Sequence, residues 1–481
     1  MTASPQGEAN GGNLCTLQQK PSPHRRLQYY QQQSIFIKGG IALKAATFRG
    51  GVHPAHHSKN QSKGLAVREF VTDIVQIPVN MHIGAPSNPC VQKGDHVKIG
   101  QMIAEPVGFL GVPVHASVSG EVIDVCPKPS LGENPAMSIV IKNDFKDEWV
   151  ELNPLGDVET VDPSLIIPAI KNAGIVGMGG ASFPTHVKLS IKPEQQCDYI
   201  LANGAECETH LTCDHRLMLE EAERVVNGLR AVMRAVGCKT GIIGIEDNKP
   251  DAIEAMQKAC EGREGVRVQV LATKYPQGGE KQLIEAITGR QVPTGGLPIG
   301  CGCIVVNVAT CAAISDAITK GMPLVQRITT VTGCVRKPAN LRVRIGTLAD
   351  ALIGECGGFT VDPGKIFSGG AMTGFCLPDT MQPITKAGGG IVVMNKEEAL
   401  TGEESPCIRC GKCQDICPIG LKPLQLKVAC DNENFDKAKK LNLMDCTLCG
   451  SCSFICPARR HLTISFKIAK QKIAALARKG G

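Results

Sequence analysis

The sequence predicts a multidomain fold of class α/β plus β, and three observations carry that prediction. Short β-branched runs punctuated by glycine fill the region up to about residue 150. From Asp162 onward, strand-like and helix-like patterns alternate. Near the C-terminus one cysteine register occurs twice without change. At 481 residues the chain is too long for one core, and a prior of ~100–200 residues per domain implies three or four. The boundaries read as a polar extension (1–33), a β module (34–150), an α/β domain (151–325), a β-rich unit with its linker (326–397), a cysteine domain (398–460) and a basic helix (461–481).

Composition narrows the class. Cysteine is abundant at 23 residues, and outside the repeated register it follows no framework spacing. This points to a reducing cytoplasm, not to a disulfide-bonded secreted fold. The net charge of +7 is mild and aromatics make up only 4%, too few for base-stacking platforms, so nucleic acid is not an expected partner. The longest apolar run, Cys301 to Ile314, is interrupted by Asn307 and Thr310 and is shorter than the ~20 residues of a membrane span. The N-terminus has no apolar signal segment. Membrane association is therefore expected through partners.

In chain order, Met1 to Gln33 is rich in Pro, Gly, Gln and Ser and reads as disordered. Phe48 to His57 is a loop with histidines at 53, 56 and 57, a polar binding loop or a metal site. Val91 to Glu105 and Val112 to Val125 alternate β-branched residues around Gly94, Gly100 and Gly120. The pair resembles the barrel-sandwich fold of lipoyl and biotinyl carrier domains. No lysine occurs from Ile99 to Val125, so the hairpin cannot carry a swinging arm, and a docking role is expected.

In the α/β domain, Pro163 to Gly174 reads as a glycine-terminated helix. The segment GMGGASFPTHVK (177–188) follows. Gly177, Gly179 and Gly180 would let backbone N–H groups approach an anion, and Pro184 would open a helix whose N-terminus adds positive potential. The segment is not a G-x-G-x-x-G fingerprint and follows a helix, which disfavours a standard dinucleotide site. Phosphate cradle and plain glycine turn both remain open. Asn203, Glu206 and Glu208 end the apolar strand begun at Tyr199, where open α/β sheets bind ligands. Met218 to Val236 reads as one periodic helix. Strands at 240–246 and 266–272 follow, then the loop KYPQGGE into a helix, the turn-rich QVPTGGLP, and GCIVVNVATCAAI, a strand entering a helix at Asn307 and Thr310.

ITTVTGCV, LRVRIGT and LADALIGECGG (between Arg327 and Phe375) suggest a β-grasp unit, and GGIVVMNKEEAL reads as its link onward. Then come CIRCGKCQDICP and CTLCGSCSFICP, each C-x2-C-x2-C-x3-C-P. That is the ferredoxin spacing for two [4Fe–4S] clusters, in which the fourth cysteine of each run serves the other cluster. Cys407, Cys410, Cys413 and Cys456 are assigned to one, and Cys446, Cys449, Cys452 and Cys417 to the other. Zinc ribbons also use C-x2-C pairs, but they give no reason for eight thiolates in a doubled register. In the tail, Phe466, Ala469, Ile473 and Leu476 form one stripe among lysines. It suits docking on a membrane or acidic partner, or packing on its own domain.

These residues support a comparison. GMGGASFPTHVK, NGAECE, YPQGGE and NVAT resemble, in the same order, the flavin-binding segments of the NADH-oxidising subunit of respiratory NADH:quinone oxidoreductase. From FRGGVHP through HIGAP, KYPQGGEKQLI, QVPTGGLP and the β-grasp unit to the doubled cysteines, the chain resembles the RnfC family of the Rnf ion-translocating electron transport complex, over about residues 36–460. The resemblance implies a barrel-sandwich domain, a Rossmann-like FMN domain, a β-grasp (SLBB) unit and a ferredoxin-like domain. It implies that Gly177, Gly179, Gly180 and Lys188 hold the FMN phosphate and ring. Asn203, Glu206, Tyr275, Gly278, Asn307 and Thr310 would complete the pocket. Phe183 would stack on NAD(H), with Glu208 and Glu280 beside it, and Glu206 and Lys188 would be the catalytic candidates. Met178, Ala205 and Gly279 stand where the flavin segments carry Arg, Asp and Glu. The implied role is a peripheral subunit on the cytoplasmic face of the cell membrane, passing electrons between NAD(H), FMN and two clusters. Its implied partners are the other proteins of the complex and, through one of them, ferredoxin. Input to a soluble reductase and a non-catalytic iron–sulfur adaptor are the alternatives.

Overall fold

The structure is a computed structural model that describes residues 34–36, 42–54, 56–131, 135–399 and 402–479. The expectation of disorder for 1–33, and the side chains of His56 and His57, lie outside the described residues. The chain divides into two units, Met1–Lys44 and Ala45–Gly481. In the first, β1 (Ser34–Phe36) pairs antiparallel with β2 (Ala42–Lys44).

The second unit begins with β3 (Val67–Phe70) and then the barrel sandwich. Its strands are β4 (Ile74–Pro78), β5 (Asn88–Pro89), β6 (His96–Val97), β7 (Met102–Glu105), β8 (Val114–His115), β9 (Gly120–Lys128) and β10 (Ala136–Asn143). One sheet runs β4-β10-β9-β6 and the other β5-β7-β8. Val75, Ile77, Val97, Ile103, Val122, Ile139 and Ile141 on these strands are buried. Gly120 is required at its corner, because a Cβ there would stand 2.0 Å from the Lys142 carbonyl oxygen.

The α/β domain opens with α1 (Pro163–Asn172), capped by the Asp162 side chain, and α2 (Thr185–Leu189). Four parallel strands follow: β11 (Tyr199–Asn203), β12 (Gly241–Glu246), β13 (Val266–Leu271) and β14 (Cys303–Asn307). They lie in the order β13-β12-β11-β14, so chain progression reverses between β11 and β14. The connecting helices are α3 (Cys213–Glu220), α4 (Ala222–Val236), α5 (Pro250–Ala259), α6 (Glu280–Thr288) and α7 (Val308–Thr319). The single helix expected over 218–236 is interrupted at Glu221, whose carboxylate is drawn to Arg224 and Arg342.

The β-grasp unit comprises β15 (Gln326–Gly333), β16 (Ala339–Arg344), α8 (Ala349–Glu355), β17 (Pro363–Ser368), β18 (Phe375–Cys376) and β19 (Gly390–Asn395), followed by α9 (Lys396–Ala399). Its sheet runs β18-β17-β19-β15-β16-β3. Two assignments therefore differ from those read in the sequence. β3, grouped there with the barrel, is an edge strand of the β-grasp sheet. GGIVVMN, read as a linker, is the interior strand β19; its Ile391, Val392 and Val393 are buried, and a short apolar run of this kind marks a strand covered on both faces.

The cysteine domain contains α10 (Lys412–Asp415), α11 (Pro423–Asp431), α12 (Phe435–Lys440), α13 (Ser451–Phe454) and α14 (Leu462–Lys479). Phe466, Ala469 and Ile473 pack into the core of their own domain with Leu426 and Leu443. Leu476 stays exposed. Most of the tail stripe is thus internal packing.

Candidate functional site

Asn203 and Asn307 are the last residues of β11 and β14 and are Cα partners across the strand pair. They mark the point where the sheet reverses its order, and crevices at such points bind ligands. A cavity of about 530 Å³ opens there, within the roughly 300–1,000 Å³ of small-molecule sites. Three modules wall it: the α/β domain, the barrel at Met81, His82 and Ile83, and the β-grasp unit at Arg327, Gly369, Gly370, Thr373 and Gly389.

Of the candidates named from the sequence, Gly179, Gly180, Asn203, Glu206, Glu208, Gly278 and Asn307 line this cavity. The others are placed differently. Gly177 closes the glycine loop by donating to the Phe183 carbonyl at 2.9 Å, and the Thr310 hydroxyl accepts from Met178 N–H at 2.9 Å; neither is on the wall, nor is Phe183. The Lys188 ammonium donates to Glu280 Oε1 and the Val305 carbonyl, both at 3.0 Å, so that pair is outside the wall too. Tyr275 is buried and its hydroxyl donates to the Cys449 carbonyl at 2.7 Å. None of Gly177, Gly179 and Gly180 adopts a left-handed conformation. Gly179 is required for another reason, because a Cβ there would meet Asn307 Nδ2 at 2.6 Å. At Gly180 a Cβ would meet nothing within 4 Å. α2 has only five residues, too few for the dipole contribution expected after Pro184.

Buried acids set the electrostatics. Glu206 Oε1 accepts from Asp214 N–H at 2.7 Å, and Asp214 Oδ2 accepts from Asn307 Nδ2 at 2.8 Å. Lys59 Nζ donates to the Glu206 carbonyl at 2.5 Å and stands 3.5 Å from Oε2. Glu208 accepts from Met372 N–H at 3.1 Å and from the Thr373 hydroxyl. Burial raises the pKa of Glu206, Glu208 and Asp214, and lowers His82 to about 4. Glu206, Cys213 and Asp214 are close enough together to hold a cation, but Lys59 and Arg327 already bring positive charge to them. Glu206 and Ser182, both on the wall, have φ of 44° and 55°, and non-glycine residues in this region cluster at functional sites. Lys59, Asp214 and Arg327 were missed in the sequence; Asp214 and Arg327 line the cavity and Lys59 backs Glu206, each from a different segment, and no local spacing announces them.

The two cysteine runs fold alike. Arg409 and Leu448, Gly411 and Gly450, and Gly420 and Arg459 occupy matched positions with positive φ, which wraps each loop around its thiols. Burial raises the Cys413 thiol, and the neighbours adding to that are Cys456, Cys407 and Cys410. For Cys452 they are Cys449, Cys446 and Cys417. The fourth cysteine of each run thus lies with the other run's three. The second group adjoins the α/β domain through Tyr275 and through Lys281, which reaches Asp445 at 3.2 Å, and the segment before β3 through Gly51 N–H, which donates to the Ile416 carbonyl at 2.7 Å. Cys407 and Cys410 of the first group are exposed.

The donor set fits a flavin nucleotide: Asn amides at the switch point, open space over Gly180 and a polar, partly charged wall. Residues 170–316 match the Nuo51 FMN-binding domain, residues 46–146 the RnfC barrel sandwich hybrid domain and residues 328–375 the SLBB domain. A component of the Na(+)-translocating ferredoxin:NAD(+) oxidoreductase complex of Acetobacterium woodii is 47% identical over 91% of this chain and 99% of its own length. Its proton-translocating counterpart from Clostridium ljungdahlii is 46% identical over 89% of this chain and 94% of its own. The corresponding component of the ion-translocating oxidoreductase complex of Rhodobacter capsulatus is 39% identical over 90% and 84%. With that identity over nearly full length, the chain belongs to the RnfC family of the ion-translocating oxidoreductase complexes.

Proposed function

We propose that this chain is the peripheral electron-transfer subunit of a membrane-bound ion-translocating oxidoreductase complex, passing electrons between NAD(H), FMN and two [4Fe–4S] clusters so that their flow drives Na+ or H+ movement. The observation that carries the reading is the direct contact between the cavity domain and one cysteine group, through Tyr275 and Cys449. A bound flavin would supply exchange between two-electron and one-electron chemistry. The chain's residues bind and orient it: Asn203 and Asn307 at the strand ends, Gly179 and Gly180 beneath, and Gly278 opposite. Glu206, buried with its pKa raised, is the candidate to hold a proton at the wall. Cys417, Cys446, Cys449 and Cys452 would hold the cluster nearer the cavity. Cys407, Cys410, Cys413 and Cys456 would hold the outer one, facing a partner protein.

No helix among the described residues is long and apolar enough to cross a membrane, which supports a peripheral place, on the cytoplasmic face in this proposal. The test is anaerobic purification with iron, sulfide and flavin counted together, followed by NADH-dependent dye reduction. About eight irons and one flavin per chain, with dye reduction, are expected. Zinc in place of iron, or no dye reduction with FMN added, would refute the reading.

A further inference from the structure

The buried cations around the cavity differ in what balances them. Lys249 is paired with Glu246 at 3.2 Å. Lys59 stands against Glu206 at 3.5 Å. Among the described residues Lys386 donates only to the carbonyls of Pro113 and Gly174, and burial lowers it to about 7, so it can shed its proton. Arg327 has neither remedy. It is 4% exposed, and a guanidinium does not deprotonate in proteins. Its N–H groups donate to the carbonyls of Ile328 (3.2 Å), Met178 (3.3 Å) and Lys386 (2.7 Å). Among the described residues it makes no ion pair; the groups that bear on it are the buried Cys213 thiol, with which it also hydrogen-bonds, and Asp214, whose carboxyl is itself raised by burial and engaged by Asn307.

A buried, permanently charged group lining a cavity with neutral acceptors only is costly unless an anion enters. Arg327 lines the cavity at its β-grasp wall. Gly389 lines the same wall, and a Cβ there would come within 3.2 Å of Arg327 Nη2. Arg327 also donates to the Met178 carbonyl, next to Gly179 and Gly180 on the cavity wall. It belongs to β15, so the β-grasp unit supplies this charge to a cavity built mainly by the α/β domain.

We propose that Arg327 is the anion-recognition residue of the cavity, binding a phosphate oxygen of the nucleotide held there and so allowing the β-grasp unit to select phosphorylated over unphosphorylated ligand. This rests on the flavin-nucleotide reading of the cavity. The test uses full-length protein, anaerobically purified and stripped of flavin, titrated with FMN and with riboflavin by fluorescence quenching, and then with NADH once loaded. For Arg327→Gln, FMN affinity should fall roughly 10–100-fold, the size of one charge-assisted hydrogen bond, with riboflavin affinity within about twofold; Arg327→Lys should restore part of the loss. A selective loss of NADH affinity alone would support the same role with the dinucleotide's pyrophosphate as the anion. Equal losses for FMN and riboflavin, or no loss for any ligand, would overturn the role of Arg327 while leaving the cavity reading standing. Wild-type protein that binds neither flavin would overturn both. Should Arg327→Gln not fold, Gly389→Ala decides: its methyl, 3.2 Å from Nη2, presses the guanidinium out of place by a few tenths of an ångström, so FMN should weaken more than riboflavin, and equal or no weakening would overturn the role.

Discussion

Replacing Gly179 and Gly180 separately by alanine should weaken flavin binding in both cases but destabilise the fold only at Gly179. At Gly179 the new methyl would lie 2.6 Å from Asn307 Nδ2 and 2.9 Å from its Cγ, so the side chain must move. Asn307 caps α7, its Oδ1 accepting from Ala309 N–H at 2.8 Å, and its Nδ2 serves Asp214 at 2.8 Å. Losing the cap costs about 1 kcal/mol, and leaving buried Asp214 without that donor costs about 1–3 kcal/mol. Crowding adds about 1–3 kcal/mol, and because the three share one side chain they do not simply add. A destabilisation of about 3 kcal/mol is expected, together with loss of flavin. Gly180→Ala meets nothing within 4 Å, so stability should stay within about 0.5 kcal/mol while the methyl, on the cavity wall, weakens flavin binding. Urea unfolding of both variants, paired with flavin titration, reads the two effects. If both alanines destabilise alike, or if Gly179→Ala is neutral, the geometry at the strand ends is wrong.

Lys386→Met should remove a pH dependence. Lys386 has a folded pKa of about 7, below the ~10.4 of an unfolded lysine, so its burial penalty is full below pH 7 and relieved as the pH rises toward 10. Wild-type stability should therefore gain up to ~1.4 kcal/mol per pH unit over that window relative to the variant; parallel urea midpoints across pH 7.5–9.5 would exclude this. Tyr275→Phe leaves the Cys449 carbonyl without its 2.7 Å donor. A local loss of about 1–3 kcal/mol should appear as roughly tenfold or greater acceleration of amide exchange over 446–452, with flavin content unchanged; an unaltered exchange pattern would remove the contact from the account. Cys417→Ser and Cys446→Ser should each cost roughly half the iron and together cost no more. If instead Cys417→Ser and Cys407→Ser are the redundant pair, the crossed assignment fails.

The cysteine grouping was legible because the repeated spacing is a local geometric constraint, and the barrel and β-grasp folds because their strands alternate visibly. The strand-end position of Asn203 and Asn307 was legible too, since an apolar run ending in a polar residue marks where a parallel sheet opens. The rest depended on distances between segments. Tyr275, Lys188 and Thr310 sit in recognisable motifs, yet their side chains support neighbours instead of lining the cavity. β3 pairs in parallel with β16, more than 250 residues later in the chain, and nothing in VREF states that. Arg327 reads as an ordinary charge at the start of a strand until the fold buries it.

Placing a cavity and a cysteine group in one molecule is not enough for electron transfer; they must be held at fixed separation. One β-grasp segment does this from both sides. Its Met372 N–H and Thr373 hydroxyl bind Glu208 at the cavity wall, while the Met372 carbonyl lies 3.1 Å from where a Cβ on Gly450 would stand, between Cys449 and Cys452. Glycine at 450 is required by its φ of 82°, and at Gly370 a Cβ would overlap Glu208 Oε2 at 2.2 Å. The segment is thus clamped between the wall and the cysteine loop with no space for a side chain at either glycine. Any movement of the β-grasp unit would change the cavity wall and the cysteine loop together, beside the direct contact that Tyr275 makes with Cys449.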